Sequence, residues 1–175
     1  DQRRPFTFTS LNEWPYLEFT IKIYREKHGV TEQLEKLQVG DELIIHDVWG
    51  VISYKGPGVF IAGGAGITPF IAILRQLHKD RKLKGNSLIF SNMTSEDIIL
   101  HDEFEKMLGP EFHNVLTREH VVGFTGRHID EEYLINTVRN FSQHFYVCGP
   151  DPFFKDIEAI LTKLGASGDS IVFEK

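Results

Sequence analysis

Gly58-Val-Phe-Ile-Ala-Gly-Gly-Ala-Gly-Ile-Thr-Pro-Phe70 reads as three local structures in succession: a buried strand, a glycine turn and a helix opened by proline. Val59 to Ala62 are apolar without alternation, as suits a strand covered on both faces. Gly63, Gly64 and Gly66 allow a tight turn and leave room for a ligand. Pro69 suits the first turn of a helix, where its missing N–H costs nothing. Ile67, Phe70, Ile71, Leu74 and Leu77 then recur at helical spacing. The free N–H groups and the dipole at such a helix start attract a phosphate or pyrophosphate. The plainer reading of the same residues is a tight strand-to-helix connection.

The stretch departs from the common dinucleotide fingerprint. That pattern has a third glycine where Pro69 stands and an acidic residue about 20 residues on. The following strand candidate, Ser87-Leu-Ile-Phe-Ser-Asn92, closes without an acid. An ordinary Rossmann dehydrogenase is therefore a poor fit.

Outward from this stretch the pattern divides. Residues 57–175 alternate β and α, with strands expected at 59–62, 87–91, 113–117, 144–148 and 170–174. Helices are expected near 68–79, 102–108, 131–140 and 152–164. Such alternation implies a five-stranded parallel sheet with helices on both faces and ligands at the carboxyl ends of its strands. Residues 1–56 are β-rich instead. Pro5–Ser10, Tyr16–Tyr24 and Glu42–Val48 are the strand candidates, and Leu17, Phe19, Ile21 and Ile23 alternate with their neighbours. Thr31 is placed to cap a short helix over Glu32–Lys36, Gly40-Asp41 forms the next turn, and Lys55-Gly-Pro-Gly58 has linker chemistry.

Composition narrows the function. The chain has 175 residues, 41% hydrophobic and 25% charged, as in a soluble globular protein. A formal net charge of −6 argues against nucleic acid. A single cysteine excludes an internal disulfide and an iron–sulfur cluster held by this chain alone. The eight histidines lack metal-ligand spacing, so no metal site is expected. No run reaches the length of a membrane span and no signal peptide opens the sequence, which makes a cytoplasmic setting the default expectation.

Two more segments join the glycine stretch. Phe145-Tyr-Val-Cys-Gly-Pro150 is an apolar strand ending in Cys-Gly-Pro, and Arg4-Pro5-Phe6-Thr7 lies near the start. In this order and spacing, across essentially the whole chain, the three resemble the ferredoxin–NADP reductase superfamily of flavin-dependent NAD(P)H oxidoreductases. The resemblance implies a β + α/β fold: a partial antiparallel flavin-binding β-barrel lacking its first strands, over 1–56, followed by a five-stranded parallel α/β nucleotide-binding domain, over 57–175.

The resemblance also implies roles. Arg4 would meet the flavin diphosphate, with a solvated arginine as the alternative, Pro5 would belong to the same cofactor-binding segment, Phe6 would pack against the isoalloxazine, and the Thr7 hydroxyl would approach its N5 atom. Gly29, Val30 and Thr31 resemble the family's second flavin segment, a reading compatible with plain capping by Thr31. Gly63, Gly64, Ala65, Gly66, Ile67, Thr68 and Pro69 would hold the nicotinamide dinucleotide, with Asn92 on the next strand. Cys148, Gly149 and Pro150 would orient the nicotinamide, and Phe153 would wall the pocket. Cys148 and Phe153 each also read as packing residues. Glu174 corresponds to the acid the family carries near the flavin, and an exposed terminal charge is the alternative.

Hydride transfer requires no protein acid or base, only alignment of the two cofactors. The implied cofactors are FAD and NAD(P)H. Met93 offers no charge to a 2′-phosphate, so NADH is weakly preferred, with Arg118 able to compensate from a neighbouring strand end. Electrons would leave for a separate acceptor protein: a ferredoxin, a flavodoxin-like protein or an oxygenase component. The alternatives are a degenerate reductase-like scaffold that binds nucleotide without flavin chemistry, and a flavin-free dehydrogenase.

Overall fold

The apolar run at 58–63 becomes the central strand of a five-stranded sheet. The computed structural model describes residues 4–25, 28–46, 48, 50 and 52–173. Its strands are β1 (Gly58–Gly63), β2 (Ser87–Asn92), β3 (Phe112–Leu116), β4 (His144–Cys148) and β5 (Ile171–Phe173). All pair in parallel, in the order β3-β2-β1-β4-β5. The chain steps outward from β1 to β3, then returns to lay β4 against the other side of β1. The crevice at this reversal, above the carboxyl ends of β1 and β4, is where ligands bind in such sheets.

The helices are α1 (Val30–Leu34), α2 (Thr68–Lys79), α3 (His101–Leu108), α4 (Glu131–Thr137) and α5 (Asp151–Lys163). The α/β boundaries agree with the sequence pattern to within a residue or two, except for α4. That helix stops at Thr137 because Val138 turns to extended backbone and buries its side chain. Every residue of β1 is buried, and successive side chains serve opposite faces. Phe60 and Ala62 join Phe70, Ile71 and Leu74 of α2 and Phe104 and Leu108 of α3 in one core. Val59 and Ile61 join Tyr133 and Leu134 of α4 and Ile157 and Leu161 of α5 in the other.

The N-terminal region differs from the expectation. Among the described residues before Gly58 no strand forms, and one antiparallel bridge, Phe8 to Phe19, stands where two paired strands are expected. Glu42–Val48 forms no ladder among its described residues, and Ile44 is 88% exposed. Backbone N–H and C=O groups without a partner strand remain turned to water, so alternation alone cannot make a strand there. The short helix lies two residues earlier than expected. Gly29, not Thr31, precedes it, without a side-chain cap. The Thr31 hydroxyl instead accepts from the Tyr24 N–H at 3.3 Å.

The expected linker is pinned as well. The buried Tyr146 hydroxyl accepts from the N–H groups of Lys55 and Gly56 at 2.8 and 3.0 Å and donates to the Gly56 carbonyl at 2.7 Å. Burial raises the pKa of this hydroxyl, against the opposing effect of those two N–H groups.

Candidate functional site

The glycine turn and the Cys-Gly-Pro turn meet at the reversal point. Ala62 is paired with Cys148 in the sheet register, so the two turns leave adjacent strands at one level. Gly64–Ile67 forms a 3₁₀ turn that runs straight into α2. Thr68 donates its N–H and its hydroxyl to the Ala65 carbonyl, the hydroxyl at 3.1 Å. Pro69 lies in the first turn of α2, as its fixed φ favours, and is buried with Ile67.

The glycines have different reasons to be glycine. A β-carbon at Gly66 would lie 2.3 Å from the Cys148 carbonyl oxygen and 2.7 Å from the Gly149 nitrogen. Gly66 therefore permits backbone of one motif to touch backbone of the other. One at Gly63 would meet the Phe153 ring at 3.1 Å, and one at Gly149 would meet it at 2.6 Å. The Phe153 ring lies across both glycines, joins the core beneath α5 and bridges the motifs. The room expected beside three glycines is thus taken up at Gly63 and Gly66. Gly64 alone of the three faces open space, with φ +53°.

Asn92 supplies a second observation. It ends β2, one residue beyond Ser91, which pairs with Gly63. Its side chain is 5% exposed, and neither Oδ1 nor Nδ2 has a hydrogen-bond partner among the described residues. A buried amide without partners is costly and marks a place where an external polar group fits. Its own carbonyl is satisfied by the Thr117 N–H at 2.9 Å and hydroxyl at 3.3 Å. The Arg118 N–H reaches the Met93 carbonyl at 3.0 Å. The loops after β2 and β3 are thereby tied together, and Arg118 comes beside exposed Met93.

Cys148 is half-buried and packs against the α2-side core, with Gly149 half-buried and Pro150 exposed at the start of α5. Arg4, Pro5 and Phe6 are exposed and Thr7 is half-buried. Gly29, Val30 and Thr31 sit at the start of α1. Glu174 lies outside the described residues.

Sequence reasoning missed the residues that attach the N-terminal segment. Arg75 on α2 donates to Glu18 and to the Thr9 carbonyl, each at 2.6 Å, and forks onto Glu103 at 2.5 and 2.9 Å. Lys22 pairs with Asp97 at 2.8 Å. The signal for Arg75 was one charge on the flank of an amphipathic helix, which usually means a solvated face.

The model of the oxidoreductase NAD-binding domain family matches residues 60–159. The chain belongs to that family. Its sequence motifs and its fold place this NAD-binding domain in the ferredoxin–NADP reductase-like superfamily. The glycine betaine monooxygenase reductase subunit of Chromohalobacter salexigens is 32% identical over 178 residues, 93% of this chain and 48% of that protein. Human NADH-cytochrome b5 reductase 2 is 29% identical over 89% of this chain and 70% of its own length. The chain spans 48%, 62% and 58% of the first three curated relatives it matches. The ferredoxin NADP+ reductase of Neisseria gonorrhoeae, solved with FAD and NADP, shares the fold at TM-score 0.77 and 24% identity, over 98% of this chain and 78% of that one. The FAD/NAD-binding domain of Vibrio cholerae nitric oxide dioxygenase does so at TM-score 0.79 and 22% identity, over 98% and 76%.

Open space beside Gly64, the 3₁₀ turn leading into α2 and the partnerless Asn92 amide suit a polar, anionic ligand. Arg4–Thr7 holds a cation, an aromatic face and a hydroxyl in a largely exposed run without regular structure. That donor set suits a flavin's phosphate and ring. No helix among the described residues is long and apolar enough to cross a membrane.

Proposed function

We propose that this chain is the dinucleotide-binding part, with a portion of the flavin-binding part, of an NAD(P)H oxidoreductase that uses FAD and passes electrons to a separate acceptor protein. The observation that carries the reading is the seating of Gly66 on the Cys148–Gly149 backbone, which makes the two motifs one site at the reversal point. A bound flavin would take hydride from the nicotinamide and release its electrons one at a time.

The chain's residues bind and orient. The N-terminus of α2 and the N–H groups of its preceding turn face the pyrophosphate, and Asn92 gives its free amide to the ligand. Phe153, held against Gly63 and Gly149, backs the nicotinamide pocket. Cys148 packs at the pocket floor and fixes the ring's position rather than attacking it. Arg4 meets the flavin phosphates, Phe6 packs on the ring and the Thr7 hydroxyl faces its reactive edge. Gly29–Thr31 supports the flavin phosphate through backbone N–H groups and the Thr31 hydroxyl, whose oxygen accepts from the Tyr24 N–H while its O–H can still donate. Glu174 is proposed beside the flavin.

NADH is the preferred donor, because Met93 offers no cation and the names of seven relatives specify NADH. Arg118, tied beside Met93, is the residue through which NADPH would be accepted. The acceptor is a protein of the kind the relatives' names describe, an oxygenase component or a cytochrome b5, or a ferredoxin or flavodoxin-like protein. A scaffold without flavin chemistry is the second reading, in keeping with the single antiparallel bridge among the described residues before Gly58.

The test is the visible spectrum of the purified protein supplied with FAD, before and after anaerobic NADH. Flavin bands that persist through desalting and bleach with NADH are expected. NADH binding without retained flavin selects the scaffold.

A further inference from the structure

We propose that Arg75 is a positioning residue: it clamps the flavin-side segment 8–20 onto α2 and so fixes where that segment sits relative to the dinucleotide turn. The inference rests on the oxidoreductase reading above.

The Arg75 side chain is only 11% exposed and has partners in two regions of the chain. One side of its guanidinium forks onto Glu103 of α3. The other reaches Glu18 and the Thr9 carbonyl. Planar, bidentate geometry of this kind fixes direction as well as distance, which a lysine could not do. The Trp14 ring lies over the guanidinium, with its centre 5.2 Å from Cζ.

The segment it grips is itself ordered by polar contacts. The Thr9 N–H donates to the Glu18 carbonyl at 2.8 Å, and the Thr9 hydroxyl donates to the Glu18 carboxylate at 2.8 Å. The Glu18 N–H donates to the Ser10 hydroxyl at 3.2 Å. Thr9 and Ser10 are buried. Partial burial would raise the Glu18 pKa, but hydrogen bonds from Arg75 and Thr9 outweigh it and leave the carboxyl below its ordinary value.

Arg75 also sits at a telling place on α2. The helix begins at Thr68, at the end of the glycine turn. Seven residues on, at 1.5 Å per residue, the clamp lies about 10 Å along the same rigid element. Thr7 directly precedes the gripped segment. One helix thus fixes the dinucleotide turn at its start and the flavin-side segment two turns later. Because misplacement of reacting groups by about 1 Å can cost a hundredfold in rate, such a linkage bears on transfer more than on binding.

The test compares Arg75→Met, Glu18→Ala, Glu103→Ala and Lys79→Ala in the full chain. Amide hydrogen exchange, without added nucleotide, follows residues 8–20 against β1 and β2. Stopped-flow reduction of bound flavin gives the limiting rate and the NADH half-saturation. Arg75→Met and Glu18→Ala are expected to lower protection of 8–20 about tenfold while β1 and β2 keep theirs. The same two variants should cut the limiting rate about tenfold or more, with half-saturation within about threefold. Glu103→Ala should lower the melting temperature yet hold the rate within about threefold, because its contact lies within the α/β unit. Lys79→Ala, which breaks only the exposed pair with Glu13, should change neither readout.

Unchanged protection in Arg75→Met overturns the clamp. Rate losses that follow melting temperature equally in Glu18→Ala and Glu103→Ala overturn its positioning role. A wild-type protein that retains no flavin overturns the oxidoreductase reading instead, while the exchange data still decide the clamp.

Discussion

β1 and the segment 42–48 contain similar apolar residues and come to opposite ends. Val59, Phe60 and Ile61 are buried between two helical layers, while Leu43, Ile44 and Ile45 stand largely in water. The difference is not hydrophobicity but partners. β1 has β2 on one side, β4 on the other and α2 packed below, so its backbone groups and both faces are satisfied. Segment 42–48 has no such ladder among its described residues. An apolar run becomes a strand only where another strand completes its hydrogen bonds.

The largest effect is expected where that difference is greatest. Phe60→Ala removes a fully buried ring stacked at 4.4 Å on Tyr146. It should cost about 3–5 kcal/mol in urea unfolding. A loss below about 1 kcal/mol would show that the α/β core is far more adaptable than its packing indicates.

Gly66→Val sharpens the contrast within the site. Its β-carbon would overlap the Cys148 carbonyl, so the two turns must separate. A loss of about 1–3 kcal/mol in stability is expected, together with weaker dinucleotide binding. Unchanged stability with weakened binding would instead place the ligand, not Cys148, against this glycine.

Acid should separate the two regions without any mutation. The Asp97 carboxyl lies below its ordinary 3.8, chiefly through the hydrogen bond from Lys22, and Glu18 lies below its ordinary 4.5. A lowered folded-state pKa gives stability that is present above the ordinary value and lost as pH falls through the folded one. Exchange protection of residues 8–22 should therefore hold above about pH 5 and decline below about pH 4, ahead of β1 and β2. Simultaneous loss in both regions would mean that they unfold as one unit. In Glu18→Ala the Glu18 part of this decline should vanish, leaving a weaker, flatter profile.

The smallest effect belongs to the exposed run. Ile44→Ser should change thermal stability by no more than about 0.5 kcal/mol, because the side chain has little burial to lose. A larger loss would show that the run is covered in solution.

The α/β unit was legible because its signals are local. The unbroken apolar run of β1, the Pro69 helix start and the recurrence of Phe70, Ile71, Leu74 and Leu77 need only neighbours in sequence to be read. The same reading placed the glycine turn and Cys148–Pro150 at carboxyl ends of strands. It misjudged Glu42–Val48, whose apolar residues say nothing about a partner, and Thr31, whose hydroxyl serves Tyr24 and not the helix end. It did not single out Arg75, whose partners Glu18 and Thr9 lie 57 and 66 residues away.

The sequence by itself determined the order of strands and helices over 57–175, the two turns and the family motifs, because periodicity and turn chemistry act over a few residues. Only the tertiary structure decided what each glycine makes room for. Gly66 admits the Cys148 backbone, Gly63 admits the Phe153 ring, and Gly64 opens toward a ligand. It also left the Asn92 side-chain amide without a partner among the described residues and closed Arg75 around a distant segment. Contacts between atoms far apart in sequence depend on how the layers pack, and no local pattern carries that information.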